Sequence, residues 1–230
     1  MTERRELLLA RGLEKSFSER VGLAHTVGRR IWNLGRAPSR FCVFEKVNFT
    51  LYPGECVALM GGNGSGKSTF LRCLGGVVEP TNGEIIRIGH MASLLSHGFG
   101  AYEDLPVRNN IVLAQQLLGS TLAEARANLE RVAATAELSD RLFSPTSHLS
   151  EGMRAKIALS ALAHTPFQVA LLDESLNHVD KEFRDLFFGL TRKWLAEGRS
   201  LMMTSHDDNL LERFGTRKLR FQHRTLTEID

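Results

Sequence analysis

Nine residues, Gly61-Gly62-Asn63-Gly64-Ser65-Gly66-Lys67-Ser68-Thr69, have the types and spacing of a loop that grips phosphate. They fit the pattern Gly, any four residues, then Gly-Lys-Ser. Glycines let backbone N–H groups approach an anion closely, and a helix N-terminus just beyond adds unpaired donors. Lys67 supplies a point charge for the outer phosphates, and the Ser68 hydroxyl is placed to bind Mg2+. The flanks agree with this reading. Cys56-Val57-Ala58-Leu59-Met60 reads as a buried strand and Phe70-Leu71-Arg72-Cys73-Leu74 as the helix that follows. A second centre of chemistry is Asp173-Glu174, delivered by the apolar run Val169-Ala170-Leu171-Leu172. Carboxylates at the C-terminal end of such a strand stand where ligands bind in open α/β sheets. Asp173 is expected to hold the Mg2+ shell, and Glu174 to polarise an attacking water as general base. The plainer alternatives, a Gly-rich turn without ligand and a solvated acidic turn, fit the apolar flanks less well.

Three more stretches carry candidate residues. Leu149-Ser150-Glu151-Gly152-Met153-Arg154 puts a Ser at a helix cap; alone it is equally an ordinary cap. Ser175-Leu176-Asn177-His178-Val179-Asp180 follows the acidic pair. Thr204-Ser205-His206-Asp207 places a His at the end of an apolar strand, and Asp207 and Asp208 suit the start of a helix by charge.

The elements that position these residues read as alternating strands and helices. Leu7-Leu8-Leu9-Ala10 begins an N-terminal strand, Val47 to Leu51 is another, and Pro53-Gly54 turns into the strand before the phosphate loop. Pro80-Thr81-Asn82-Gly83 is a turn, and Glu84 to Ile88 a strand. The middle is helical: Pro106 to Leu118, then Thr121 to Leu138 with Leu122, Ala125, Leu129, Val132, Ala133 and Ala136 on one face. A third helix runs from about Gly152 to His164, apolar nearly all round and so buried. Lys181 to Glu197 is amphipathic and stops at Gly198, and Leu201 to Thr204 is a strand. The order implies an α/β core, residues 1–92 and 165–230, with an inserted helical lobe at roughly 93–164.

The chain has 230 residues, 43% of them hydrophobic, which suffices for a real core. The formal net charge of +3 gives no argument for nucleic acid. The three cysteines, Cys42, Cys56 and Cys73, have no metal spacing and read as reduced, which suits the cytosol. The first residues, Met1-Thr2-Glu3-Arg4-Arg5-Glu6, do not read as a signal peptide, and no apolar run is long enough to span a bilayer. A membrane role therefore has to come through a partner.

Taken in order, these motifs resemble the nucleotide-binding subunit of ATP-binding-cassette (ABC) transporters over nearly the whole chain. The resemblance implies a phosphate-loop NTPase core joined to an antiparallel β subdomain, one cassette over 1–230, hydrolysing ATP with Mg2+. It implies a head-to-tail homodimer in which Ser150 and Gly152 of one chain complete the phosphate site of the other. Asp180 would lie in the loop that crosses to the facing subunit, and His206 would contact the γ-phosphate. The family stacks adenine on an aromatic near the N-terminus, for which Phe17 is the candidate. Two departures stand out. The family signature is Leu-Ser-Gly-Gly-Gln, against Leu149-Ser150-Glu151-Gly152-Met153 here. The family also places a Gln in the loop entering the helical lobe, and residues 91–105 contain none, leaving Ser96 or His97 as stand-ins.

Residues 20–44 carry Arg20, Arg29, Arg30, Arg36 and Arg40 and no acidic side chain, with Val27, Ile31 and Leu34 at helical spacing. They read either as a solvated basic loop or as a basic amphipathic helix on the membrane-facing side. With this insertion, Ser96-His97-Gly98-Phe99-Gly100 through Leu105-Pro106-Val107-Arg108-Asn109-Asn110 and Ser150-Glu151-Gly152-Met153-Arg154 resemble ATPases of bacterial polysaccharide exporters. That resemblance implies a peripheral subunit at the cytoplasmic face of the inner membrane. There it would energise export of a lipid-linked or capped glycan through a separate permease. The competing readings are an ATP-dependent regulatory module with little turnover, a transporter subunit for another cargo, and a soluble cassette acting on DNA or the ribosome.

Overall fold

The computed structural model describes residues 5–18, 40–95, 102–205 and 207–229. His206, Ser96, His97 and residues 20–39 of the basic segment lie outside the described residues.

An antiparallel sheet of three strands comes first in the chain. β1 (Leu8–Ser18) is its centre, flanked by β2 (Arg40–Leu51) and β4 (Asn82–Arg87). β2 starts seven residues before the strand expected from sequence, so Arg40 to Phe44 belong to the sheet and not to the basic insertion. The second sheet has the order β5-β6-β7-β3-β8-β9. Its members are β3 (Cys56–Met60), β5 (Met91–Leu94), β6 (Val169–Asp173), β7 (Ser200–Thr204), β8 (Arg217–Gln222) and β9 (Thr225–Ile229). All neighbours are parallel except the closing β8–β9 hairpin.

The parallel strands are buried on both faces, which is why they read as unbroken apolar runs. Period-two alternation sorts their side chains between two cores. Cys56, Ala58, Met60, Ala170, Leu172, Leu201 and Met203 face the larger core, shared with the helical lobe. Val57, Leu59, Val169, Leu171 and Met202 face the smaller one, with the antiparallel sheet and α1 (Lys67–Leu74). Burial pushes the Cys56 thiol up to about 12, and all three cysteines are free, as expected.

The lobe holds α2 (Val107–Leu117), α3 (Leu122–Ala127), α4 (Leu129–Thr135) and α5 (Glu151–Ala163). The single helix expected over Thr121 to Leu138 is therefore two. The Thr121 hydroxyl accepts from the Glu124 N–H and Glu124 answers the Thr121 N–H, so the start is a capping box. At Asn128, where the helical run is interrupted, the side chain donates to the His164 carbonyl at the end of α5. Ala125, Val132, Ala133 and Ala136 are buried as the pattern required, whereas Leu122 is exposed. α6 (Lys181–Ala196) and α7 (Asp208–Phe214) complete the core, the latter capped by Asp207.

Beneath the phosphate loop an aromatic cluster joins the two sheets. Phe44 lies edge-on to Phe70 and to Phe221, with centroids 5.7 and 5.8 Å away. All three rings are fully or almost fully buried. Phe44→Ala is expected to lower the unfolding free energy by about 3–5 kcal/mol, read from the denaturant midpoint. A loss below about 1 kcal/mol would mean that neighbouring side chains collapse into the gap.

Candidate active site

The phosphate loop leaves β3 and turns into α1 through Gly66, whose φ of 113° places it in the left-handed region. A Cβ there would also lie 2.9 Å from a Val43 methyl, so the position admits only glycine on two counts. Gly66 offers no side-chain cap, so the first N–H groups of α1 remain available to an anion. The Ser65 hydroxyl points inward, buried and without a partner among the described atoms. Such an orphan is expected where a bound group supplies the missing hydrogen bond. Lys67 is only 6% exposed and donates from Nζ to the carbonyls of Gly61 (2.7 Å) and Gly62 (3.1 Å). Its charge therefore lies across the loop that would hold the phosphates.

The carboxylates arrive from β6. Asp173 Oδ1 accepts hydrogen bonds from Ser68 Oγ on α1 (3.1 Å) and Thr204 Oγ1 on β7 (2.7 Å). One hydroxyl and one carboxylate side by side are the hard-oxygen donors that Mg2+ uses, with nucleotide phosphates and water making up the rest of its shell. Among the described residues no cluster of His, Cys, Asp and Glu could hold a metal by itself, which suits that arrangement. Ser68 and Asp173 thus fit Mg2+. Glu174 follows with φ of 56°, unusual for a residue with a side chain. Its N–H reaches both the carbonyl (3.2 Å) and the hydroxyl (3.1 Å) of Thr204, which holds it in that conformation. Strained backbone held in this way clusters at reactive sites.

A cavity of about 510 Å³ runs from the loop to the antiparallel sheet, lined by Asn63 to Thr69, Glu174, Val43, Phe17 and Phe41. Phe17 and Phe41 are cross-strand partners on β1 and β2, 44% and 58% exposed. Lys15 Nζ lies 4.7 Å from the Phe17 ring centre. Two aromatic faces at the far end of a phosphate-gripping cavity are what a base would stack on.

The structure thus brings together Phe17, the phosphate loop, Asp173 and Glu174. It does not bring Ser150, Gly152 or Asp180 to that cavity. Ser150 caps α5, accepting from the Met153 N–H at 3.2 Å. A Cβ on Gly152 would stand 2.5 Å from the His178 carbonyl oxygen, so the start of α5 is pressed against the loop after Glu174. Asp180 caps α6 through the Phe183 N–H (2.9 Å), and its other oxygen pairs with Lys156 Nζ at 2.6 Å. The Lys156 hydrogen bond, before the Phe183 one, holds the Asp180 carboxyl below its ordinary range. Of the residues next to His206, Ser205 donates to Asn177 Oδ1 (2.6 Å) and accepts from the Asp207 N–H (3.0 Å).

Sequence reasoning missed Thr204 and Phe41. Thr204 was visible as a hydroxyl ending an apolar strand; its pairing with Asp173 depends on strand order. Phe41 was hidden because the alternation in Arg40-Phe41-Cys42-Val43 was read as basic insertion rather than strand.

The family model described as ABC transporter matches residues 44–177, from within β2 through the acidic pair and beyond. The chain belongs to the ABC transporter family. The expected family is borne out, and the chain is its ATPase component, since it carries the phosphate loop and the acidic pair. The cassette is 32% identical over 216 residues to an O-antigen export system ATP-binding protein, RfbB, of Klebsiella pneumoniae, covering 90% of this chain and 88% of that one. It is 30% identical over 184 residues to RfbE, of the same description, from Yersinia enterocolitica, covering 80% and 77%. A teichoic acids export ATP-binding protein, TagH, of Lactococcus lactis matches at 27% identity over 90% of this chain and 42% of its own length. Among solved structures, a dimeric ATP-binding cassette in a post-hydrolysis state with ADP and Pi superposes with a TM-score of 0.77 at 21% identity, covering 97% and 98%. An ATP-binding subunit of an ABC transporter gives 0.75 at 23%, covering 97% and 90%. At these identities the structural likeness speaks for the fold, which is the one expected from the sequence.

Lys67→Ala is expected to abolish binding of a fluorescent ATP analogue while shifting the melting temperature by no more than about 2–4 °C. Binding that survives the substitution would remove the phosphate loop from the site.

Proposed function

We propose that this cassette powers export of a lipid-linked or capped polysaccharide, as a peripheral subunit beneath a separate membrane permease at the cytoplasmic face of the inner membrane. The observation that carries the cargo class is likeness across nearly the full cassette to proteins described as O-antigen and teichoic acid exporters. No helix among the described residues is long and apolar enough to cross a membrane, so passage of cargo requires a partner that does.

The chemistry follows from the geometry. ATP lies along the cavity with its base against Phe17 and Phe41 and its phosphates on the N–H groups of the loop and α1. Lys67 turns from the loop carbonyls to the outer phosphates. Ser68 and Asp173 would hold Mg2+, which would neutralise phosphate charge. Glu174 stands at the γ-phosphate end and takes a proton from the attacking water, and the family likeness assigns contact with the transferred group to His206, which lies outside the described residues. The likeness to ABC cassettes assigns Ser150 and Gly152 to the nucleotide of a second copy, with ATP closing the homodimer, and their place away from this chain's own cavity is compatible with that. Asp180 lies in the segment that would meet the partner at that junction.

Glu174→Gln keeps the site's shape and removes the base. With ATP and Mg2+ it is expected to form a stable dimer by light scattering, with kcat reduced by at least about 100-fold. A variant that stays monomeric would argue against two nucleotides shared between copies. The export reading is tested by purifying the tagged chain from native membranes. A polytopic permease carrying lipid-linked sugar is the expected companion, and a permease with another cargo would discard the glycan.

A further inference from the structure

Lys156 is charged and only 7% exposed. It lies on the second turn of α5, beyond Ser150 and Gly152. Its ammonium meets Asp180 Oδ2 at 2.6 Å and Glu137 Oε2 at 2.5 Å, and lies 5.4 Å from the centre of the Phe183 ring. These partners come from separate segments: Glu137 follows α4 in the lobe, Asp180 closes the stretch that begins at Glu174, and Phe183 is on α6. Glu137 has φ of 59°, a left-handed conformation that turns the chain just after α4. Burial works against the ammonium, but the hydrogen bonds to Asp180 and Glu137 outweigh it and keep Lys156 firmly protonated.

Two further contacts bind the same surfaces. His178 Nδ1 lies 3.6 Å from Glu151 Oε2, and the His178 carbonyl oxygen stands against Gly152. The opening turns of α5 and the segment 174–180 therefore form one clamped unit, which Lys156 extends to Glu137 at the end of α4. The ammonium is buried while its partners stay half-exposed or more, so the pairs add little to stability, but a charge with two fixed partners can hold one arrangement among several. Here the arrangement fixed is the distance between Glu174 and the helix that presents Ser150 and Gly152.

We propose that Lys156 is a positioning residue for hydrolysis: through Asp180 it sets the Glu174 segment against α5, and Glu137 at the end of α4 holds the ammonium in place for that contact. The proposal rests on the ATPase reading given above. Lys156 touches neither the cavity nor any residue of the phosphate loop, so its effect falls on turnover and not on nucleotide capture.

The test uses the full chain with four substitutions, reading ATPase kcat and KM, affinity for a fluorescent ATP analogue, and melting temperature. Lys156→Met keeps the stem over Phe183 and removes the charge. It is expected to lower kcat about tenfold, with KM and nucleotide affinity within about twofold. Asp180→Asn retains an oxygen to cap α6 and loses the ion pair, and should fall in the same direction. Lys156→Arg restores the charge and should recover turnover to within about threefold of the original chain. Unchanged kcat in Lys156→Met overturns the proposal. So does an equal loss of turnover and nucleotide affinity, which a merely structural role would produce. Should Lys156→Met fail to fold, Asp180→Asn decides by the same readouts. Lys67→Ala is the control: if it still hydrolyses ATP, the ATPase reading has failed, and not the clamp alone.

Discussion

One carboxylate oxygen organises the reacting end of this cassette. Asp173 Oδ1 accepts from Ser68 at the start of α1 and from Thr204 at the end of β7, so a helix and two strands converge on one atom. Removing that carboxylate would leave the Ser68 and Thr204 hydroxyls without this acceptor, at a cost of about 1–3 kcal/mol for the buried Thr204. The convergence is possible because β6 and β7 are adjacent and parallel, with Asp173 opposite Thr204 in register. The same register lets the Thr204 hydroxyl and carbonyl hold the Glu174 N–H. The acid that would hold metal and the acid that would activate water are therefore fixed by one threonine, and neither depends on a mobile surface loop for its place.

The helical lobe is fixed differently. It shares the larger hydrophobic core with one face of the parallel sheet, an adaptable and non-directional attachment. Directional contacts among the described residues gather at the start of α5, where Glu151, Gly152 and Lys156 meet His178 and Asp180. Apolar packing gives the lobe its seat, and a small polar junction sets its angle relative to the catalytic strand.

Local chemistry told most where function and backbone constraint coincide. Gly66 is needed for its left-handed turn and its close approach to Val43, and Lys67, Ser68, Asp173 and Glu174 follow in positions their types announce. The apolar strands were readable because burial on both faces leaves them no polar positions. Long-range pairing was not readable. The strand from Arg40 to Cys42 is partly exposed and lies next to basic sequence, so its pattern was weak, and Phe41 went unrecognised with it. At the break, Asn128 donates to a carbonyl at His164, remote in sequence, which no helical period reveals. The role of Lys156 was equally invisible, since its two partners lie on opposite sides of it in the chain.

The departures from the family signature also have a physical meaning. Glu151 is exposed at the start of α5, and Met153 rests against the larger core. Gly152 between them has no room for even one methyl group before it strikes a carbonyl oxygen. Within this stretch the vocabulary open to each position is therefore set by neighbours and not by the motif as a word. Glu151 faces water on one side and His178 on the other. Met153 finds apolar company on the core, which a Gln there would not use. The glycine is a spacer whose information content is zero volume.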